Sequence, residues 1–379
     1  MRKRVALLGS SGSIGKRALA VAKHLREEVE IVALAAKSQV DLLHAQALEF
    51  SPKVIALWDK EAALELQKRV PHIPVLAGSE GLNAVSSFAE VDFVLVAITG
   101  TAALLPTVAA ICAGKEVGIA SKEALVSGGE WMRALLNKHQ TTLLPIDSEH
   151  SALHQCLRSG KREEVRRLIL TASGGPFRNK KKEELQRVTH QEALAHPNWT
   201  MGPKVTIDCA TLMNKGLEMI EAHYLFDIPA QKIQAVVHPE SIVHSLVEFV
   251  DGSLIAQLAE PDMAMPIQYA LTWPRRCPGL TPSLDWVQRS SLHFSPPDEE
   301  RFPCLRLARS ALAEGRSYPC FLNAANEVLV ERFLQQEISF MAIAEKLEGL
   351  LEKHNAWRLS SLEEILAVDG LAREAARTV

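Results

Sequence analysis

No two cysteines in the chain stand in a C-x-x-C pair, so zinc ribbons and thioredoxin-type redox sites have no support. The six that exist (Cys112, Cys156, Cys209, Cys277, Cys304 and Cys320) are too thinly spread over 379 residues to form a disulfide scaffold. A reducing compartment is the expectation. No apolar run approaches the ~20 residues needed to span a bilayer, so no membrane partner is expected. Neither charge sign is in large excess: 42 Lys+Arg against 45 Asp+Glu leave a net charge of −3. A generic polyanion binder would carry a marked basic surplus, so no nucleic-acid partner is expected. Internal repeats and low-complexity stretches are also missing. The apolar segment Val5–Leu8 behind the basic first residues is shorter than the ~7–15 residues of a secretory core. No targeting segment is therefore expected, and the location is read as cytoplasmic.

What is present is ample apolar material, 47% of residues with 23% charged, enough to bury a large core over two or three domains. Short β-rich apolar runs occur at Val5–Leu8, Ile31–Ala35, Val54–Leu57, Val75–Leu76, Phe93–Ala97, Val117–Ala120 and Leu143–Ile146, separated by stretches of helical spacing. Strands alternating with helices predict βαβ units and a doubly wound parallel sheet over residues 1–147. The runs lack period-2 polarity, as expected of strands covered on both faces.

The pattern changes after Asp147. Val165–Thr171 and Lys204–Cys209 read as strands, and Glu248–Leu254 as a hairpin whose Asp251-Gly252 suits a type I′ turn. Residues 173–203, rich in Gly, Pro, Lys, Asn and His, read as a long lid-like loop with helical fragments. The prolines of 273–303 suggest a linker. From about Leu305 the chain reads as helical, with Phe340, Ile343, Ala344, Leu347, Leu350 and Leu351 on one helix face. The expected organisation is a nucleotide-binding domain at 1–147, an α+β catalytic and dimerisation domain at 148–272 with its lid, a linker at 273–303, and a helical bundle at 304–379.

Gly9-Ser-Ser-Gly12-Ser-Ile-Gly15 follows the first strand and opens the first helix. Glycines at this spacing allow a tight turn and bring a pyrophosphate to the positive helix end. The second strand ends in Lys37-Ser38-Gln39 with no carboxylate. The acid that would hold an NAD ribose is missing, and a lysine is present, which favours NADP over NAD; a solvated surface lysine is the plainer alternative. Asp147-Ser148-Glu149-His150 follows the seventh strand. Two carboxylates so spaced suit a hard divalent cation, and Asp147 or Ser148 equally suits a helix N-cap. Asn214, Lys215 and Glu218 share one helix face. They read either as a phosphate-and-metal site or as an ordinary i, i+3 ion pair. Ser173-Gly-Gly-Pro-Phe177 and His196-Pro-Asn-Trp199 lie in the lid. There Trp199 either covers a ligand or tacks the loop down, and His196 either acts or is a structural histidine.

Taken in order, these motifs, with Ser121-Lys122-Glu123, Leu144–His150, Met213–Glu218, Glu260-Pro-Asp-Met263 and Asn323–Glu327, make the chain resemble the 1-deoxy-D-xylulose 5-phosphate reductoisomerase family over nearly its whole length. The resemblance implies conversion of 1-deoxy-D-xylulose 5-phosphate to 2-C-methyl-D-erythritol 4-phosphate in non-mevalonate isoprenoid biosynthesis. It also implies NADPH with Mg²⁺ or Mn²⁺, and a homodimer. By the same resemblance Ser11, Gly12, Ser13 and Ile14 cradle the NADPH pyrophosphate, Lys37, Ser38 and Gln39 align with its 2′-phosphate segment, and Ser121, Glu123 and Gly202 also contact it. Asp147, Glu149 and Glu218 hold the metal. Lys122, Ser148 and Glu149 meet the carbonyl end of the substrate; Ser173, His196, Cys209, Asn214 and Lys215 meet its phosphate, beneath Trp199. Three positions depart from the family pattern: Ser121 where Asn is usual, Cys209 where Ser is usual, and Lys37-Ser38-Gln39 in place of a Gly-Lys-Asn-like segment. Two other readings compete. A non-catalytic NADP sensor on this fold predicts a damaged carboxylate set, and a semialdehyde-type dehydrogenase needs a nucleophilic cysteine motif that the sequence lacks.

Overall fold

The computed structural model describes residues 2–288 and 291–379. All seven expected strands of the N-terminal region form: β1 (Lys3–Leu8), β2 (Val29–Ala36), β3 (Val54–Leu57), β4 (Val75–Ala77), β5 (Phe93–Val96), β6 (Glu116–Ile119) and β7 (Leu143–Pro145). They pair in parallel in the order β4-β3-β2-β1-β5-β6-β7. The crossovers are α1 (Ser13–His24), α2 (Val40–Phe50), α3 (Lys60–Arg69), α4 (Gly78–Ser86), α5 (Leu104–Cys112) and α6 (Lys122–His139); α7 (Ser148–Cys156) follows β7. Strand order reverses beside β1, which has β2 on one side and β5 on the other. Ligands of open parallel sheets bind at such a switch point, outside the strands' carboxyl ends.

The second sheet has the order β11-β10-β8-β9. Here β8 (Val165–Ala172) and β9 (Ile233–Val237) are parallel, while β10 (Val243–Phe249) runs antiparallel to β8 and to β11 (Leu254–Leu258). Between β8 and β9 lie α8 (Lys182–Leu185), α9 (His190–Leu194), α10 (Pro203–Ala210) and α11 (Met213–Phe226). The chain ends in α12 (Ala264–Thr272), α13 (Cys304–Glu314), α14 (Tyr318–Leu334), α15 (Phe340–Lys353) and α16 (Leu362–Thr378). The apolar stripe expected around Phe340–Leu351 is the buried face of α15.

The chain divides into two compact units. One holds residues up to Ala124 with Met132–Ser151 and Asp262–Pro282; the other holds Leu125–Trp131, Ala152–Pro261 and Ser283–Val379. Sequence order therefore hides one element. The stretch expected to close the catalytic domain and open the linker instead lays α12 on the first unit, with Ala264, Ile267, Ala270 and Leu271 joining the core of β1 and α1. Arg17 on α1 donates to Asp262 at 2.9 Å. From Trp273 to Pro303 the described residues form no helix or paired strand beyond a single bridge, Val237 to Ser295; Arg289 and Ser290 lie outside the described residues.

Two local expectations are corrected. Lys204–Cys209, read as a strand, is the helix α10. Gly202 is its N-cap and Pro203 stands at its start, where a missing N–H costs nothing. Lys204 pairs with Asp208 one turn on at 2.8 Å, and the buried Asp208 also accepts from Asn326 of α14 at 2.8 Å. These i, i+4 and tertiary contacts override the β-branched composition. The hairpin after β10 is not type I′, which needs positive φ at both Asp251 and Gly252. Only Gly252 has it, at 87°. Gly252 N–H donates to Phe249 C=O at 3.0 Å and Phe249 N–H to Ser253 C=O at 2.9 Å, the pattern of a type I turn closed by a glycine bulge.

Gly216, inside the Asn214–Glu218 motif, lets α13 approach α11: a Cβ there would meet the Ala308 Cβ at 2.4 Å. Gly216→Ala is expected to lower stability by about 1–3 kcal/mol through overpacking, with much of the loss recovered by adding Ala308→Gly. Denaturant unfolding of both variants checks this; an unshifted midpoint in Gly216→Ala would remove the close approach.

Candidate active site

In the first unit, the turn after β1 is built for close backbone packing. Gly9 has φ of +86°, and a Cβ on Gly15 would lie 2.1 Å from the Gly9 carbonyl. Neither position admits a side chain, so Ser11, Gly12 and Ser13 present backbone at the start of α1, whose N-cap is Gly12. Lys37 and Ser38 are exposed just past β2, and Gln39 is the N-cap of α2 without capping it through its side chain.

Strands β6 and β7 are neighbours, with Ile119 opposite Pro145. The residues just beyond their ends therefore meet: Lys122 Nζ lies 2.5 Å from Asp147 Oδ2, both side chains nearly buried. Burial alone pushes the Asp147 carboxyl up, yet the Lys122 ammonium, the neighbouring His150 and hydrogen bonds to Glu149 and Lys122 hold it well below the usual carboxylate range. Asp147 and Glu149 stand within hydrogen-bond reach of each other across the first turn of α7, where the spacing suggests an extended backbone, and Ser148 Oγ donates to Glu149 Oε2 at 2.5 Å. Asp147 C=O also accepts Ser151 N–H at 2.8 Å, so Asp147 starts the helix as well as carrying a site carboxylate. Ser121 Oγ donates to Glu123 at 3.1 Å and to Gly100 C=O at 3.3 Å. Its hydroxyl is committed within the unit.

In the second unit, the lid motifs meet each other. His196 Nδ1 accepts the backbone N–H groups of Asn198 (3.2 Å) and Trp199 (3.0 Å). The ring proton is therefore on Nε2 and points to Ser173 Oγ at 2.8 Å. Gly175 N–H donates to the same oxygen at 3.2 Å. With its oxygen accepting twice, Ser173 keeps its one proton for a further acceptor, as an anion requires. Burial, with help from Arg178, lowers His196 to about 4. Gly175 lies so close to α10 that a Cβ would meet the Cys209 carbonyl at 2.7 Å, which brings the Ser173 turn to Cys209. On α11, Asn214 Nδ2 donates to Glu218 Oε1 at 2.6 Å and Lys215 Nζ pairs with Glu218 Oε2, all on one face. Lys215 and Glu218 are buried, which is not the exposed i, i+3 pair that was the plainer alternative.

Two residues escaped the sequence reading as site candidates. His150 is fully buried beside Asp147; it stood in the tetrapeptide, but nothing marked it out from a core histidine. His244 on β10 lies 6.3 Å, ring to ring, from Trp199, and burial lowers it to about 4. A single histidine within a strand carries no spacing signal, and only the sheet brings it to the lid.

The comparisons with known proteins agree over the full length. Family profiles described as 1-deoxy-D-xylulose 5-phosphate reductoisomerase match residues 5–129, as its C-terminal domain residues 143–226, and as the DXP reductoisomerase C-terminal domain residues 258–375. The 1-deoxy-D-xylulose 5-phosphate reductoisomerase of Protochlamydia amoebophila is 55% identical over 99% of this chain and 97% of its own. That of Chlamydia muridarum is 48% identical over 98% of each. Among solved structures, the Zymomonas mobilis reductoisomerase in complex with NADPH superposes with a TM-score of 0.94 at 40% identity, covering 100% of this chain and 99% of that one. A DOX-P reductoisomerase in complex with NADPH, fosmidomycin and magnesium gives 0.95 at 41%, covering 99% and 98%.

His196 and His244 are both held neutral, with values near 4 against an ordinary 6.5. The unfolded chain takes up protons near 6.5 and the folded chain does so only near 4. Stability is therefore full above about pH 6.5 and falls as the pH drops from there to about 4. Melting temperature measured across this window is expected to decline, and less steeply in His244→Gln; an identical slope in the variant would contradict the assignment. Lys122 with Asp147, Ser173 with His196, and Asn214 and Lys215 with Glu218 thus form hydrogen-bonded polar groups in a chain that matches the family from end to end, and the chain belongs to the 1-deoxy-D-xylulose 5-phosphate reductoisomerase family.

Proposed function

We infer that this protein catalyses the NADPH- and divalent-metal-dependent isomerisation and reduction of 1-deoxy-D-xylulose 5-phosphate to 2-C-methyl-D-erythritol 4-phosphate, in the supply of isoprenoid precursors. The observation that carries this reading is the presence of two buried ammonium–carboxylate pairs, Lys122–Asp147 and Lys215–Glu218, at the family's motif positions. Burying an ion pair costs several kcal/mol per ion before attraction is counted. A cofactor sensor without chemistry has no use for two of them, so the non-catalytic alternative is not favoured.

The donor set fits a hard divalent cation. Asp147 and Glu149 bring two carboxyl groups within hydrogen-bond reach of each other, and Asp147 stays ionised. Carboxylates so placed repel unless a proton or a cation lies between them. Asp147, Glu149 and Glu218 are the proposed ligands for Mg²⁺ or Mn²⁺, and oxygen-only ligation suits either ion. When bound, the cation polarises the ketone and adjacent hydroxyl of the substrate, and NADPH supplies the hydride.

The chain's own residues do the rest. Lys122, with Ser148 and Glu149, is placed to hold the reacting oxygens; its ammonium stabilises the negative charge that develops when the substrate's carbon–carbon bond breaks. Ser173, with its proton free to donate, binds the phosphate together with His196, Cys209, Asn214 and Lys215. Cys209 is the weakest donor of that set, because a thiol replaces a hydroxyl. Trp199 covers the site and excludes water. Ser11, Gly12, Ser13 and Ile14 receive the pyrophosphate at the start of α1, Ser121, Glu123 and Gly202 also contact NADPH, and Lys37, Ser38 and Gln39 receive the 2′-phosphate. The proposed assembly is a homodimer. The edge strand β11 and its turn expose Val250 and Leu254, the kind of uncovered edge that pairs with a second chain. Among the described residues no helix is long and apolar enough to cross a membrane, and the proposed location is cytoplasmic.

NADPH oxidation on adding 1-deoxy-D-xylulose 5-phosphate, with and without Mn²⁺, tests the reading; no metal-dependent turnover would end it. Glu218→Gln is expected to cut kcat roughly 100-fold or more while NADPH affinity, read by cofactor fluorescence, stays within about twofold, since the change removes a metal ligand and no pyrophosphate contact. Lys37→Ala is expected to weaken NADPH about tenfold, the loss of one charge-assisted contact, and to leave NADH unchanged. Equal weakening of both cofactors would detach Lys37 from the 2′-phosphate.

A further inference from the structure

The three residues after β2 supply charge and hydrogen bonds for the adenosine end of the dinucleotide, but none of them offers apolar surface. Dinucleotide sites pair a few polar contacts with an apolar face for the base. The structure places a candidate beside this loop. Trp58 is the first residue beyond β3, the parallel neighbour of β2, with Leu57 opposite Ala36. The backbone ladder continues past the strand ends: Trp58 N–H donates to Ala36 C=O at 3.0 Å, and Asp59 N–H to Lys37 C=O at 2.9 Å. Trp58 and Lys37 are thus fixed side by side at the carboxyl edge of the sheet, where ligands of this fold bind.

The indole itself is available. Leu57, the last residue of the strand, is fully buried, whereas Trp58, just past the strand end, is 48% exposed. Among the described residues its side chain has no ring, cation or hydrogen-bond partner. The nearest acid in sequence, Asp59, is occupied, because it caps α3 by accepting Ala62 N–H at 2.8 Å. A lone exposed tryptophan needs no functional explanation in general. This one is held by its own backbone hydrogen bond to Ala36 and by that of the next residue to Lys37, at the edge where ligands of this fold bind, next to three residues with no flat apolar group.

We propose that Trp58 is a cofactor-affinity residue, its indole forming the platform on which the adenine ring of the dinucleotide stacks while Lys37 holds the 2′-phosphate. The proposal rests on the NADPH reading above. It separates two contributions at one edge of the sheet: stacking on Trp58 is blind to the 2′-phosphate, and charge on Lys37 is not.

Calorimetric titration of the full chain with NADPH, NADH and adenosine 2′,5′-bisphosphate tests it without using turnover. Trp58→Ala is expected to weaken all three by a similar factor of about ten, the usual range for losing one base–aromatic stack. Trp58→Phe, which keeps a flat ring, is expected to stay within about threefold of wild type. Trp58→Leu keeps bulk without a flat ring and should weaken binding as alanine does, which preserves the test if the alanine variant melts early. Unchanged affinities in Trp58→Ala and Trp58→Leu overturn the proposal, as does a loss confined to NADPH and the bisphosphate, the two ligands that carry a 2′-phosphate. If wild-type protein binds neither NADPH nor the bisphosphate, the underlying cofactor reading is what fails.

Discussion

The constraint on which this structure depends is the burial of charge. Lys122, Lys215 and Glu218 are almost entirely removed from water, and Asp147 nearly so. An isolated ion in such a place would neutralise or disrupt its surroundings. Each is tolerated because a partner of opposite sign stands within hydrogen-bond distance. A pair of apolar residues of similar volume would be as stable or more so, so stability does not account for these pairs. The Lys122 ammonium holds Asp147 ionised in a dry environment, where a charge acts on a nearby oxygen far more strongly than it does in water.

The fold supplies this environment by simple geometry. In the first unit, parallel strands deliver every loop of one kind to the same edge, so β2 and β1 end side by side, as do β6 and β7, with β5 between the two pairs. Adjacency of β6 and β7 makes the Lys122–Asp147 pair unavoidable once each strand is followed by its polar motif. In the second unit, one helix turn replaces strand adjacency: Asn214, Lys215 and Glu218 meet because they are three and four residues apart on α11. That helix is in turn held by close packing at Gly216 and by the brace between Asp208 on α10 and Asn326 on α14.

The lid illustrates how local hydrogen bonding sets chemical character. His196 accepts two backbone N–H groups through Nδ1, which fixes its tautomer and leaves Nε2–H for Ser173. Burial keeps the imidazole neutral. A neutral ring so held orients the Ser173 hydroxyl and carries no charge of its own at neutral pH. His244 is kept neutral by the same cause and lies near Trp199, so the indole has an uncharged ring as its neighbour.

Periodicity and turn chemistry determined much of this protein before any tertiary contact is considered. The seven parallel strands, the glycine turn after β1, the apolar stripe of α15 and the placement of Asp147 at a strand end all follow from residue type and spacing, because each depends on neighbours within a few residues. Ordered motifs identified the family for the same reason: they are local signatures. Tertiary structure alone decided the rest. Lys204–Cys209 has a strand's composition, but Asn326, more than a hundred residues away, satisfies the buried Asp208 of a helix. Asp251-Gly252 resembles a type I′ pair, but the register between β10 and β11 selects a bulged turn. Residues 262–282 read as the end of one domain, but α12 buries its apolar face on the sheet of the other. Whether Lys215 and Glu218 form an exposed surface pair or a buried one was undecidable from spacing, because burial is a property of what packs against a helix, and a helix does not encode that in its own residues.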